Sequence, residues 1–192
     1  MTVELLGKIF ANIPTLETER LVMREMRVGD CFDMFDYAKR RDVTQYLTWS
    51  PHRDVEYTKA YLQNLKNHYK MGMFYDWALV LKSENKMVGT CGFTRFNLAS
   101  NSAEIGYVIN PDFRGSGIAV EAAKKVISFG FENLGLNRIV ARYMVGNDAS
   151  RRVMEKLGMI FEGVAREAIC VNGIYRDVGI CAVLRNEFKG HF

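Results

Sequence analysis

The segment Arg114-Gly115-Ser116-Gly117-Ile118-Ala119 lies between a run that reads as a strand, ending near Asn110, and a long helical pattern that begins at Gly117. An anion placed at such a junction meets several unpaired backbone amides and the positive end of a helix dipole. Glycines at 115 and 117 remove the Cβ atoms that would keep the main chain away from a phosphate. The segment has neither the Gly-Lys-Ser/Thr ending of a nucleoside-triphosphate loop nor the three-glycine spacing of a dinucleotide fingerprint. Taken alone, these residues fit a pyrophosphate-binding turn or an ordinary strand-to-helix turn equally well.

The elements that must position this turn follow from periodicity. Arg20 to Met26 reads as a strand, with Gly29-Asp30 as a turn and helix cap, and a helical region runs to about Lys70, broken at Ser50-Pro51. Trp77–Leu81 and Met87–Phe93 form a hairpin around Glu84-Asn85, and Ala103–Asn110 is a third strand stopped by Pro111. From Gly117 to Leu134 the period changes: Val120, Ala123, Ile127, Phe131 and Leu134 share one helical face. Arg138–Val145 is another strand, and Asn147-Asp148 caps a helix that ends at Gly158. Asn172-Gly173 closes a last hairpin of Gly163–Val171 and Ile174–Leu184, a register that sets Cys170 opposite Tyr175 and Cys181 opposite Val164. This order predicts an α+β fold with a mixed, mostly antiparallel central sheet flanked by helices.

At 192 residues the chain supports one domain over 1–192, with a core at about 15–188 and an N-terminal arm over 1–14. The formal charge of +4 comes from scattered Lys and Arg, so no nucleic-acid surface is demanded. Four cysteines without a C-x-x-C pair and three widely spaced histidines (His52, His68, His191) exclude the usual metal signatures and fit free thiols in a reducing cytosol. No run of about 18 apolar residues occurs, so a soluble, cytoplasmic protein without a membrane segment is expected.

The ordered motifs resemble the GNAT acetyltransferase superfamily. Arg114 to Ala119 matches its Q/R-x-x-G-x-G/A turn at every fixed position. Thr18 to Leu21, Ala103 to Tyr107, Leu136 to Arg138, Asn147 to Ser150, Glu155 to Gly158, Phe161 to Gly163 and Asn172 to Asp177 resemble the subgroup that acetylates N-terminal amines of ribosomal proteins. The resemblance implies a sheet that splays between its fourth and fifth strands, with the pantetheine of acetyl-CoA lying in the gap. Val108 and Ile109 would pair with that arm, the amides of Arg114, Gly115, Ser116, Gly117, Ile118 and Ala119 would hold the pyrophosphate, and Asn147 would bond the pantetheine near the thioester. No metal is implied.

Acetyl transfer to an amine needs a proton acceptor, oxyanion donors and a proton donor for the leaving thiolate. Freeing an α-amine of its proton at pH 7 costs about 1 kcal/mol, against about 4–5 for a lysine. Many family members use a tyrosine as the acid, but the matching position here is Met154, which has no proton to donate. In the ribosomal-protein subgroup a serine one turn earlier takes that role, which the resemblance carries to Ser150. Glu104 and Glu167 are the candidate bases; the subgroup's base position falls at Ile169, two residues from Glu167 on the same strand face. Thr44–Trp49 and Met71–Tyr75 are aromatic- and methionine-rich segments that fit either a groove wall or core. The expected acceptor is the α-amine of a protein; a small-molecule amine (polyamine, aminoglycoside or amino-acid derivative) and a non-catalytic acetyl-CoA-binding domain are the alternatives. A homodimer is the default assembly.

Overall fold

Trp77 to Leu81 is apolar at every position, which suits a strand covered on both faces. In the computed structural model, which describes residues 2–188, it belongs to β3 (Asp76–Leu81), inside a single eight-stranded sheet. The other strands are β1 (Leu16–Glu17), β2 (Leu21–Arg24), β4 (Lys86–Asn97), β5 (Ser102–Ile109), β6 (Arg138–Met144), β7 (Ile160–Val171) and β8 (Ile174–Leu184). They run in the order β1-β2-β3-β4-β5-β6-β8-β7, and only β5 and β6 are parallel neighbours. The helices are α1 (Val3–Ala11), α2 (Cys31–Ala38), α3 (Arg41–Thr44), α4 (Val55–Lys70), α5 (Ile118–Glu132) and α6 (Asp148–Lys156).

Alternation along β3 separates two cores. Trp77 and Leu79 face α5, where Phe10, Phe93 and Phe129 pack edge-to-face around the Trp77 indole. Ala78 and Val80 face the opposite way, toward α2 and α4, with Met34, Tyr37, Leu62 and Tyr69. Within the stretch read as an N-terminal arm, Val3–Ala11 form helix α1, capped by Thr2, and its Phe10 is fully buried in the first core.

Three sequence expectations are corrected. Gly29-Asp30 is a short 3₁₀ turn, and the Asp30 carboxylate accepts from Arg24 and the Arg27 amide rather than capping α2. Cys170 does face Tyr175, but Cys181 faces Phe161, because bulges at Ala165–Ile169 and Phe161–Gly163 shift the register. The same bulge breaks the alternation that was to put Glu167 and Ile169 on one face; Glu167 has φ of 50° and its amide donates to Asp177 at 2.8 Å. His191 lies outside the described residues. Among the described residues no helix is long and apolar enough to cross a membrane.

Candidate active site

The parallel pairing of β5 and β6 runs from Ser102 opposite Arg138 to Ile105 opposite Ala141 and then stops. Both strands continue, β5 to Ile109 and β6 to Met144, without pairing to each other. This is the predicted splay, and two cavities meet at it.

The first, of about 560 Å³, lies at the N-terminus of α5. Val108, Ile109, Arg114, Gly115, Gly117, Ile118, Ala119 and Asn147 all border it, so every predicted cofactor residue except Ser116 lines one space. Gly115 and Gly117 have φ of 79° and 84°, the left-handed region that favours glycine, so backbone geometry fixes both identities. The Glu121 amide donates to Gly117 O at 3.0 Å, which leaves the amides of Ile118, Ala119 and Val120 without helical partners. Ser116 contributes otherwise: its hydroxyl donates to Phe113 O at 2.6 Å and tightens the turn.

A buttress explains why Thr18 to Leu21 belongs with this turn. The Arg20 guanidinium donates to Ser116 O at 2.7 Å and to the Glu121 carboxylate at 2.7 Å, and the Thr18 hydroxyl donates to Glu121 at 2.5 Å. Burial alone would raise the Glu121 carboxyl, but these donors and the Arg20 amide outweigh it and hold it below the ordinary carboxylate range. The first turn of α5 is thereby tied to the loop before β2.

The second cavity, of about 1010 Å³, opens on the α2–α4 face and shares Tyr46, Leu47, Tyr107, Val108, Asn147 and Ser150 with the first. At the junction Asn147 caps α6, its side-chain oxygen accepting from the Ser150 amide at 3.2 Å, which leaves its Nδ2 donors for a ligand. The Ser150 Oγ is 3.0 Å from the Tyr107 Oη, and the Tyr107 hydroxyl also lies 3.0 Å from Ser150 O. Burial pushes the Tyr107 phenol well up, and its bond to Ser150 lowers it only in part, so it is a neutral donor at pH 7. Met154 stands one turn beyond, buried and also bordering the second cavity. Glu104 borders this cavity with Arg142 at 3.8 Å, whereas Glu167 does not border it and Ile169 does.

Sequence reasoning missed Tyr107 as a site residue, although it stands directly before Val108 on the strand that enters the gap. It also missed Asp76 and Thr90, which border the second cavity from β3 and β4. Of the two aromatic segments, Tyr46 to Trp49 line this cavity, while Tyr75 packs on Phe10 in the first core and Met71 and Met73 are exposed.

A family model described as "Acetyltransferase (GNAT) domain" matches residues 20–160. The chain is 32% identical over 176 residues to the Bacillus licheniformis protein named "Uncharacterized N-acetyltransferase p20", covering 92% of this chain and 99% of that protein. It is 28% identical to the ribosomal protein uS5-alanine N-acetyltransferase of Escherichia coli, over 87% of this chain and 90% of that one. A solved GNAT acetyltransferase from Bacillus anthracis superposes with a TM-score of 0.81 at 30% identity, covering 91% of this chain and all (100%) of that one. With matched family model, fold and splay in agreement, the chain belongs to the GNAT acetyltransferase family and is an N-acetyltransferase.

Proposed function

We propose that the protein transfers the acetyl group of acetyl-CoA to the α-amine of a protein or peptide. The observation that carries this reading is the meeting of the two cavities at Tyr107, Asn147 and Ser150, where a thioester entering from α5 meets an amine entering from the α2–α4 face. The pyrophosphate sits on the amides from Arg114 to Ala119, and the pantetheine runs along Val108 and Ile109. The neutral amine attacks the carbonyl carbon, the N–C bond forms and the C–S bond breaks. Glu104 takes the amine proton directly or through a water, and Ser150 gives its proton to the departing thiolate and regains one from solvent. Tyr107, hydrogen-bonded to Ser150, holds that hydroxyl in place. Glu167 stands in the β7 bulge outside the cavity, so Glu104 is the better base.

Freeing an α-amine of its proton at pH 7 costs about 1 kcal/mol against about 4–5 for a lysine, which favours an α-amine acceptor. A small-molecule amine is the second reading, favoured by the depth of the acceptor cavity, which reaches Thr90 on β4 and Asp76 on β3. Thiol release from acetyl-CoA, measured with free-amine peptides, the same peptides blocked at the N-terminus but carrying lysine, and small amines, tests the assignment. Turnover of the free peptides alone is expected; turnover confined to small amines would replace it with the second reading.

A further inference from the structure

Asp76, Gly92 and Gly106 are direct cross-strand neighbours on β3, β4 and β5, so their side-chain positions point to one face of the sheet. Neither glycine has a side chain, and the cavity runs as a trough from Asp76 past Thr94, whose Cγ2 stands 2.9 Å from the position of a Cβ at Gly106, to the splay, where Gly106 is the first residue past the last β5–β6 pair. The glycine at 92 is required: a Cβ there would lie 2.2 Å from Tyr75 O and 2.8 Å from the Asp76 Oδ1. At two strand spacings, about 10 Å, Asp76 is too far from the splay to take a proton from the reacting amine directly.

Its surroundings suit a cation. The Asp76 Oδ1 is sealed from solvent without a hydrogen-bond partner, while Thr90 and the Trp77 amide hold the carboxyl by hydrogen bonds and the residue keeps part of its surface open to the cavity. Among the described residues no ion pair reaches it; the titratable groups facing it are Tyr37 from α2, Tyr61 and Tyr69 from α4, and Cys91 from β4. The cavity's arginines are engaged or peripheral: Arg142 lies beside Glu104, Arg53 pairs with Asp54 at the exposed rim, and Arg95 is exposed. The Tyr37 hydroxyl is likewise buried and unpartnered. Above this end, His52 touches the rings of Trp49, Tyr57 and Tyr61, and burial lowers its imidazole so that it adds no positive charge near neutrality. Aromatic faces and an unpaired carboxylate attract a cation and do little for a neutral group.

We propose that Asp76 anchors a second cationic group of the acceptor, so that preferred acceptors carry one amine at the splay and another positive charge at the far end of the trough. This rests on the reading of the splay as the site of acetyl transfer to an amine. The shared chemistry is an ammonium or guanidinium, supplied by a diamine or by a basic side chain near a peptide's N-terminus. Burial pushes the Asp76 carboxyl up to about 7, so it is ready to ionise when a cation arrives.

The test compares diaminoalkanes of increasing length with n-alkylamines of matched length, and peptides bearing lysine with the same peptides bearing norleucine. Wild-type protein should favour the dicationic member of one series by about tenfold or more in kcat/KM, and Asp76→Asn should reduce that ratio to about twofold or less while leaving monocationic turnover and acetyl-CoA binding unchanged. The series showing the preference identifies the source of the charge. Equal kcat/KM for matched members in wild type, or a preference that survives Asp76→Asn, overturns the proposal. Absence of turnover with every acceptor defeats the acetyl-transfer reading, and calorimetric titration of the same amines into the CoA complex then decides the anchor alone. Should the variant fail to fold, the wild-type ratio still decides: it rises between pH 6 and 8 as Asp76 ionises, and a flat ratio overturns the anchor.

Discussion

The two cavities that meet at the splay are built from different material. The one at α5 is made of backbone: positive-φ glycines, orphan amides at a helix N-terminus and strand edges released from pairing. The one on the α2–α4 face is made largely of side chains, drawn from α2, α4, α6, the strands β3 to β8 and the segment between α3 and α4. A backbone site tolerates few residue types and repeats its spacing, because phosphate always needs the same amides. A side-chain site can be rebuilt for a new acceptor without disturbing the cofactor.

Ser150 stands on the wall between the two, so its removal gives the largest expected effect. Ser150→Ala should lower kcat by about a hundredfold or more if its hydroxyl protonates the thiolate, while the dissociation constant for acetyl-CoA changes little. Single-turnover thiol release and calorimetric CoA binding measure the two separately. A rate within a few-fold of wild type would remove Ser150 from proton transfer and leave Tyr107, 3.0 Å away, as the next donor to vary.

The same division decides what the sequence disclosed. The α5 turn, its strand and the Asn147 cap were legible because each is a local pattern with a backbone cause: glycine where φ is positive, a side-chain oxygen where an amide is orphaned. The splay itself came from resemblance and was then visible as pairing that ends at Ile105 and Ala141. Asp76 and Thr90 were not legible, since nothing local distinguishes a polar residue at the start of a buried strand from one at a solvent edge. Glu167 misled for a related reason. Alternation is a sound guide to which face a residue occupies until a bulge inserts residues, and no glycine or proline marks the one between Ala165 and Ile169.

A smaller effect tests the backbone half. Gly117 has no atom closer than the Arg20 Nη2 at 3.5 Å to a hypothetical Cβ, so Gly117→Ala meets strain without a serious clash. A left-handed non-glycine residue costs about 1–2 kcal/mol, and relaxation of that strain would turn the following amides away from the pyrophosphate. Acetyl-CoA affinity should fall about tenfold, with acceptor KM at saturating cofactor unchanged. A variant that alters acceptor KM and not cofactor affinity would contradict the division between the cavities.

The smallest effect is one of stability and comes from the acceptor side. Asp76 has its carboxyl raised from 3.8 to about 7, first by burial, against hydrogen bonds from Thr90 and the Trp77 amide that lower it. A raised folded-state value means that the native protein holds more protons than the unfolded chain between those two values, so Asp76 favours the fold below about pH 4 and that contribution is lost as pH rises through 7. Because the residue keeps part of its surface open to the cavity, the loss is discounted to about 1 kcal/mol, or roughly 2–4 °C in Tm for a chain of this size. Asp76→Asn removes the titration. Its Tm relative to wild type should therefore climb between pH 5 and pH 8, and a saturating dicationic acceptor should reverse the gain by stabilising wild type alone. A Tm difference that stays constant across this range would mean that Asp76 is already ionised and solvated in the free protein, and the acceptor cavity would then lack the buried charge that sets it apart from the cofactor side.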